Sequence, residues 1–180
     1  MSATAITAPS PTARLPDWAR DLCAALLVSI LIFVGHFATG MPQIADAGGD
    51  NDSLQRLVQV RDLLAGQSWH DLTQYRLGVE GGVPMHWSRL VDAPIAAIML
   101  VVQALGGSAG LAETVAQMLW PMLLMALALF AIVHMARAAR GEWAVLPAIV
   151  IGAAALYFVG SFRPGALDHH NAQIVATLAM

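Results

Sequence analysis

Four stretches without a single Asp, Glu, Lys or Arg, residues 22–45, 93–112, 114–136 and 143–162, constrain the fold of this chain more than any motif in it. Backbone placed in hydrocarbon has to satisfy its own N–H and C=O groups, and only helices and closed barrels do that. The apolar residues run continuously and do not alternate, which selects helices. Composition agrees: 58% of residues are hydrophobic, 12% are charged and the mean hydropathy is +0.65, whereas soluble domains carry about 25% charged residues. The expected class is an all-α, polytopic helical membrane protein. A net charge of −3 with no basic tract argues against a nucleic-acid partner. Cys23 is alone in an apolar run, so neither a disulfide framework nor a cysteine metal site is expected.

Crossing a bilayer takes about 20 apolar residues. The first stretch meets this over about residues 22–38, before Thr39, Gly40 and Pro42 dilute it, and spans of about 113–136 and 143–162 qualify as well; a further one starts near 174. In the second stretch Gly106-Gly107-Ser108-Ala109-Gly110 leaves only a core over 94–105, the length of an interfacial or re-entrant helix. Charge sets the orientation. Arg14 and Arg20 precede the first span, and Arg137 and Arg140 fill the short connection before the last of the three, so both places belong on the cytoplasmic side. That requires two crossings between them, and residues 94–105 therefore do not cross. The organisation expected is a cytoplasmic tail (1–21) and a membrane domain (22–180) whose long outer loop (39–111) holds amphipathic or interfacial helices. Ala45-Asp46-Ala47 resembles a signal-peptidase site, but the apolar stretch exceeds a usual signal h-region and more spans follow, which favours an uncleaved anchor in a bacterial inner membrane.

Both outer segments carry acids. Asp50-Asn51-Asp52-Ser53 opens a helical pattern of Leu54, Leu57, Val58, Val60 and Leu64 that Gly66 stops. One reading makes Asp52 the N-cap, with Gln55 closing a capping box; another makes Asp50 and Asp52 cation ligands, and the two can coexist. Later in the loop, Trp69, Tyr75 and Trp87 suit a membrane–water interface. Arg76, His86 and Arg89 have the chemistry to contact a lipid-linked phosphate. After the third span comes Asp168-His169-His170. An acid at mid-span costs about 2.5–3.5 kcal/mol and less towards the edge, so acids beside apolar spans are functional suspects. A carboxylate suits Mg²⁺ or Mn²⁺, and imidazole tilts a site towards Mn²⁺ or Zn²⁺. On a helix, His169 and His170 would point about 100° apart and would not share one ion. Asp168 before an apolar run also reads as an N-cap. His36 and His134 read as packed or interfacial.

Asn51-Asp52 early in the first outer loop, the helix end Arg61-Asp62-Leu63-Leu64-Ala65-Gly66 and the Asp168-His169-His170 element together resemble the catalytic subunits of oligosaccharyltransferases, in the GT-C class of membrane glycosyltransferases. The resemblance covers about residues 20–180. It implies transfer of a sugar or glycan from a polyprenyl phosphate or diphosphate donor to an acceptor on the outer face, assisted by Mg²⁺ or Mn²⁺. It further implies that Asp52 and Asp168 bind the metal and that Asp52 helps position the acceptor. His170 stands where the family carries a second acid, and Arg163 resembles the family's active-site arginine at a shorter spacing. Asp50 has no counterpart. The family's later metal-linked glutamate and its Trp-Trp-Asp motif are missing, so the expectation is an incomplete chain, inactive alone. The alternative is a non-enzymatic membrane protein, a transporter piece or a structural subunit whose acids only cap helices.

Overall fold

The computed structural model describes residues 15–39, 51–78 and 80–180. It is mostly helical, and three helices are long and apolar enough to cross a membrane. The first, α1 (Asp17–Ala38), follows Pro16, whose extended backbone fixes the helix start. Its buried positions, Asp21, Ala25, Ser29 and Phe33, recur every four residues. Their spacing makes one stripe, and the small Ala25 and Ser29 let another helix come close. Leu27, Ile30, Leu31 and Val34 stay exposed on the other side.

That stripe faces α4 (Ala109–Arg140), the hub of the fold, which also packs against the helices α3 (Arg89–Ala104), α5 (Val145–Val159) and α6 (His170–Leu178). Ser108 caps α4 by accepting the Leu111 N–H, and Gly141, at a φ of 81°, ends it. Its 32 residues extend about 48 Å at 1.5 Å per residue. At Gly152 of α5 an added Cβ would sit 3.3 Å from Leu129 and Ile132, so the close approach of α5 to α4 depends on a missing side chain.

Ion pairs show how the three long helices run. Asp21 near the start of α1 binds Arg137 near the end of α4, so the two are antiparallel. Arg20 reaches Glu142 just before α5, while His36 at the far end of α1 meets the Tyr157 hydroxyl near the end of α5 at 3.0 Å, so α1 and α5 are parallel. One end of the bundle thus gathers Arg20, Asp21, Arg137 and Glu142. The other carries the long connection after α1 and the loop after α5.

In the connection, α2 (Asn51–Leu64) ends at Gly66, whose φ of 105° suits only glycine well, with the Gln67 N–H reaching back to Asp62 O. Asp52 therefore lies in the first turn of a helix that already contains Asn51, not at its N-cap. A hairpin of two-residue strands follows, β1 (Thr73–Gln74) against β2 (Val83–Pro84), which a purely helical expectation omits. Gly82 has to be glycine there: its φ is 78°, and a Cβ would lie 2.8 Å from Gln74 O. The helix α3 extends the expected 94–105 core by starting at Arg89 behind the Ser88 cap. It buries Arg89, Asp92, Ile95, Ala96 and Met99 and exposes Leu90, Leu100, Val101 and Leu105. Charge points inward and leucine outward.

Candidate metal centre

Asp168 sits in a loop held by local turns and by contacts to α2 and α4. Gly160 breaks α5 at a φ of 88°. Phe162 and Leu167 then plug into the core. Between them Gly165 donates its N–H to Gln117 O of α4 at 2.8 Å. The buried Asn171 closes the loop from below: its amide donates to Ser161 O at 3.2 Å and Ala166 O at 3.0 Å. From the side, the Leu167 N–H donates to Ser53 Oγ on α2 at 3.0 Å, a bond between residues 114 positions apart. The starts of both acidic outer segments are therefore fastened together.

Asp168 is 5% exposed. Its Oδ1 accepts the His169 backbone N–H at 2.6 Å, while its Oδ2 is buried with no hydrogen-bond partner. Around it, Asp168, His169 and His170 each offer one ligand atom within 4.8 Å of the others. His169 Nδ1 lies 2.5 Å from Oδ1, and His170 Nε2 lies 3.2 Å from Oδ2. The two imidazoles come together, with centroids 4.5 Å apart, because His169 precedes α6 instead of lying in it. The expected divergence held only for two residues inside a helix. Asp168 is not the N-cap either, since α6 begins at His170 behind His169 with no side-chain cap bond.

The second ring nitrogen of His170 is also held. Its Nδ1 lies 3.2 Å from Gln173 Oε1. An amide oxygen only accepts, so Nδ1 donates to it, and this bond turns Nε2 towards Asp168. A buried carboxylate oxygen without a donor, facing imidazole nitrogens, is a set of converging acceptors. A divalent cation fits such a set, and carboxylate with imidazole suits Mn²⁺ or Zn²⁺ better than Mg²⁺. A cavity of about 430 Å³ opens beside His170, with Ser161, Gln173 and Thr177 as polar lining and Val159, Ile174 and Leu178 as apolar lining.

The other expected residues are placed as follows. Asp50 lies outside the described residues. Asp52 is exposed and is not part of the three-residue cluster, but its neighbour Ser53 is the residue bonded to Leu167. Arg163 is exposed, donates to Tyr157 O at 3.2 Å and lies over the Tyr157 ring. Arg76 is exposed and pairs with Asp62 at 3.1 Å; His86 is exposed against Trp87. Arg89 is 4% exposed, and its terminal nitrogens reach Gln59 O, Asp92, Gln67 and Asp71 O.

Sequence reasoning passed over Arg56, Gln59 and Asp92. They form a buried polar cluster joining α2 to α3: Arg56 Nη1 and Gln59 Nε2 each donate to Asp92 at 2.7 Å. The signal was available, since Arg56 and Gln59 share the apolar face of α2 with Leu57 and Val60, and Asp92 lies one turn before Ile95 on α3. Charge on the buried face of each of two helices implies a partner. At the tip of this region Asp71 accepts from the Thr73 backbone N–H, and from the Tyr75 hydroxyl at 2.9 Å. These hold its carboxyl down to about 2, the Thr73 backbone bond contributing most.

Comparison with family models, curated proteins and solved structures yields no match.

Proposed function

We propose that α1, α4 and α5 cross a membrane and hold, on the non-cytoplasmic face, the cation site of a metal-assisted glycosyltransferase of the GT-C kind. The observation that carries this reading is the buried Asp168 with an unpartnered oxygen between two imidazoles. The resemblance in Asn51-Asp52, residues 61–66 and residues 168–170 supplies the reaction class. Apolar side chains exposed along α1 and α5 support the membrane placement, and Arg20, Arg137 and Arg140 at the opposite end support a cytoplasmic assignment of that end.

Asp168, His169 and His170 would hold the cation, which when bound neutralises charge developing on a departing phosphate. Asp168 keeps its oxygens available because Leu167 and Asn171 fix the loop. Gln173 keeps His170 turned so that Nε2 faces the site. Asp52, exposed at the start of α2, is at the same end through Ser53 and would orient an acceptor hydroxyl or amide and take its proton. The cavity beside His170 suits the first apolar units of a polyprenyl-linked donor. The arrangement disfavours the cap-only reading, in which Asp168 should bond to the first turn of α6.

The full-length protein in nanodiscs, given a polyprenyl-diphosphate-linked sugar, should consume it with Mn²⁺ and not with EDTA. Asp168→Ala should lower turnover at least about 100-fold, since losing even a residue that only orients a metal ligand costs about 10–100-fold. Turnover that persists in EDTA, or in Asp168→Ala, rules the reading out.

A further inference from the structure

His170 has a hydrogen bond to orient its ring; His169 has none. Its Nδ1 faces Asp168 Oδ1 at 2.5 Å, the side on which a cation would sit, without hydrogen-bond geometry, and no side chain caps the turn that carries it. Apart from the Asp168 carboxylate, what touches the ring is aromatic: His170 on one contact, and Trp87 on another at a centroid distance of 6.2 Å and an angle of 45°. Trp87 is buried and directly precedes Ser88, the cap of α3. The Arg56 guanidinium lies over the indole, 4.7 Å from its centroid. Arg56 is fully buried and fixed in turn by Asp92 at 2.7 Å and Ser88 O at 3.4 Å.

We infer that Trp87, backed by Arg56, is a positioning residue that sets the ring of His169 for the cation site. This rests on the cation reading above. The physical basis is that a ligand imidazole lacking an outer-shell hydrogen bond is ordered only by what packs against it, and a planar indole limits its rotation in a way an aliphatic side chain does not. Arg56 adds the stiffness, because a stacked guanidinium tied to a buried carboxylate keeps the indole from turning. The path Asp92–Arg56–Trp87–His169 links the α2–α3 pairing to the metal centre, and it explains why charged residues are buried in a segment whose exposed face is leucine.

The test is a double-variant cycle on Mn²⁺ affinity, measured by electron paramagnetic resonance of the free ion with the full-length protein in nanodiscs. Trp87→Leu should weaken Mn²⁺ binding about 10-fold, the lower range for outer-shell changes. In a His169→Ala background the same change should make no further difference, because contacting residues that act through one another are not additive. Should Trp87→Leu fail to fold, Trp87→Phe takes its place, with a loss of about threefold that likewise vanishes without His169. Wild-type affinity in the Trp87 variants, or losses that multiply with His169→Ala, overturns this inference and leaves the cation reading standing. A wild-type protein that binds no Mn²⁺ overturns both.

Discussion

Asp21 and Asp168 are buried carboxylates, each beside histidine, at opposite ends of the same three-helix frame, and they differ in what is left unpaired. Both oxygens of Asp21 accept hydrogen bonds from Arg137, at 2.6 to 3.1 Å, and one also meets His134 at 2.9 Å. Arg137 continues to Glu142, and Glu142 to Arg20. At Asp168 there is no guanidinium: one oxygen takes the adjacent N–H and lies against His169 Nδ1, and the other accepts no hydrogen bond and faces only His170 Nε2 at 3.2 Å. A carboxylate enclosed by arginine is a fastener whose bonding capacity is used up. One enclosed by imidazoles with an oxygen to spare can still bind something.

The contrast breaks most completely if the two ends do not face opposite sides of a membrane. In a Cys23→Ser background, Tyr75→Cys should react with an impermeant maleimide in right-side-out vesicles, and Arg140→Cys only after permeabilisation; equal labelling of both would remove the orientation. Next in size is the cost of the fastener. Asp21→Ala should destabilise the fold by about 3–5 kcal/mol by leaving Arg137 without its buried partner, with Mn²⁺ affinity unchanged in the fraction that folds. Asp168→Ala should cost only about 1 kcal/mol, the worth of one hydrogen bond, while removing Mn²⁺ binding. Thermal melts in nanodiscs compare the two, and similar costs would erase the distinction. The smallest effect is local to the hairpin. Asp71 titrates at about 2 against an ordinary 3.8, so its contribution is full above about pH 4 and disappears as the pH falls through about 2. Chemical shifts of Thr73 and Tyr75 should follow that window, and Asp71→Asn should abolish the dependence.

Residues 22–38, 113–136 and 143–162 were legible as helices because continuous apolar runs leave the backbone no other partner. Their true ends were less so. The first and second of these helices continue through charged residues, to Asp17 and Arg140, since Asp21, Arg137 and Glu142 neutralise one another across the bundle. Such pairing joins positions more than a hundred residues apart and leaves no local trace. The same holds for the contact of Ser53 with Leu167. At the site, Asp168-His169-His170 was readable as a metal-capable element. The convergence of the two rings was not, because it depends on whether α6 starts at residue 169 or 170. Asp92 went unread inside the 39–111 loop, although its place one turn before a buried isoleucine marks it as enclosed.

One consequence follows from the length of α4. At about 48 Å it is longer than the ~30 Å hydrocarbon layer, so in the membrane placement proposed above one of its ends would stand clear of the acyl chains. Gln117, which holds the Asp168 loop, and Glu113, which pairs with Arg61 on α2, lie within nine residues of its first residue. On that placement the chain would carry its own ruler, one continuous helix that sets how high above the lipid the proposed cation site rides.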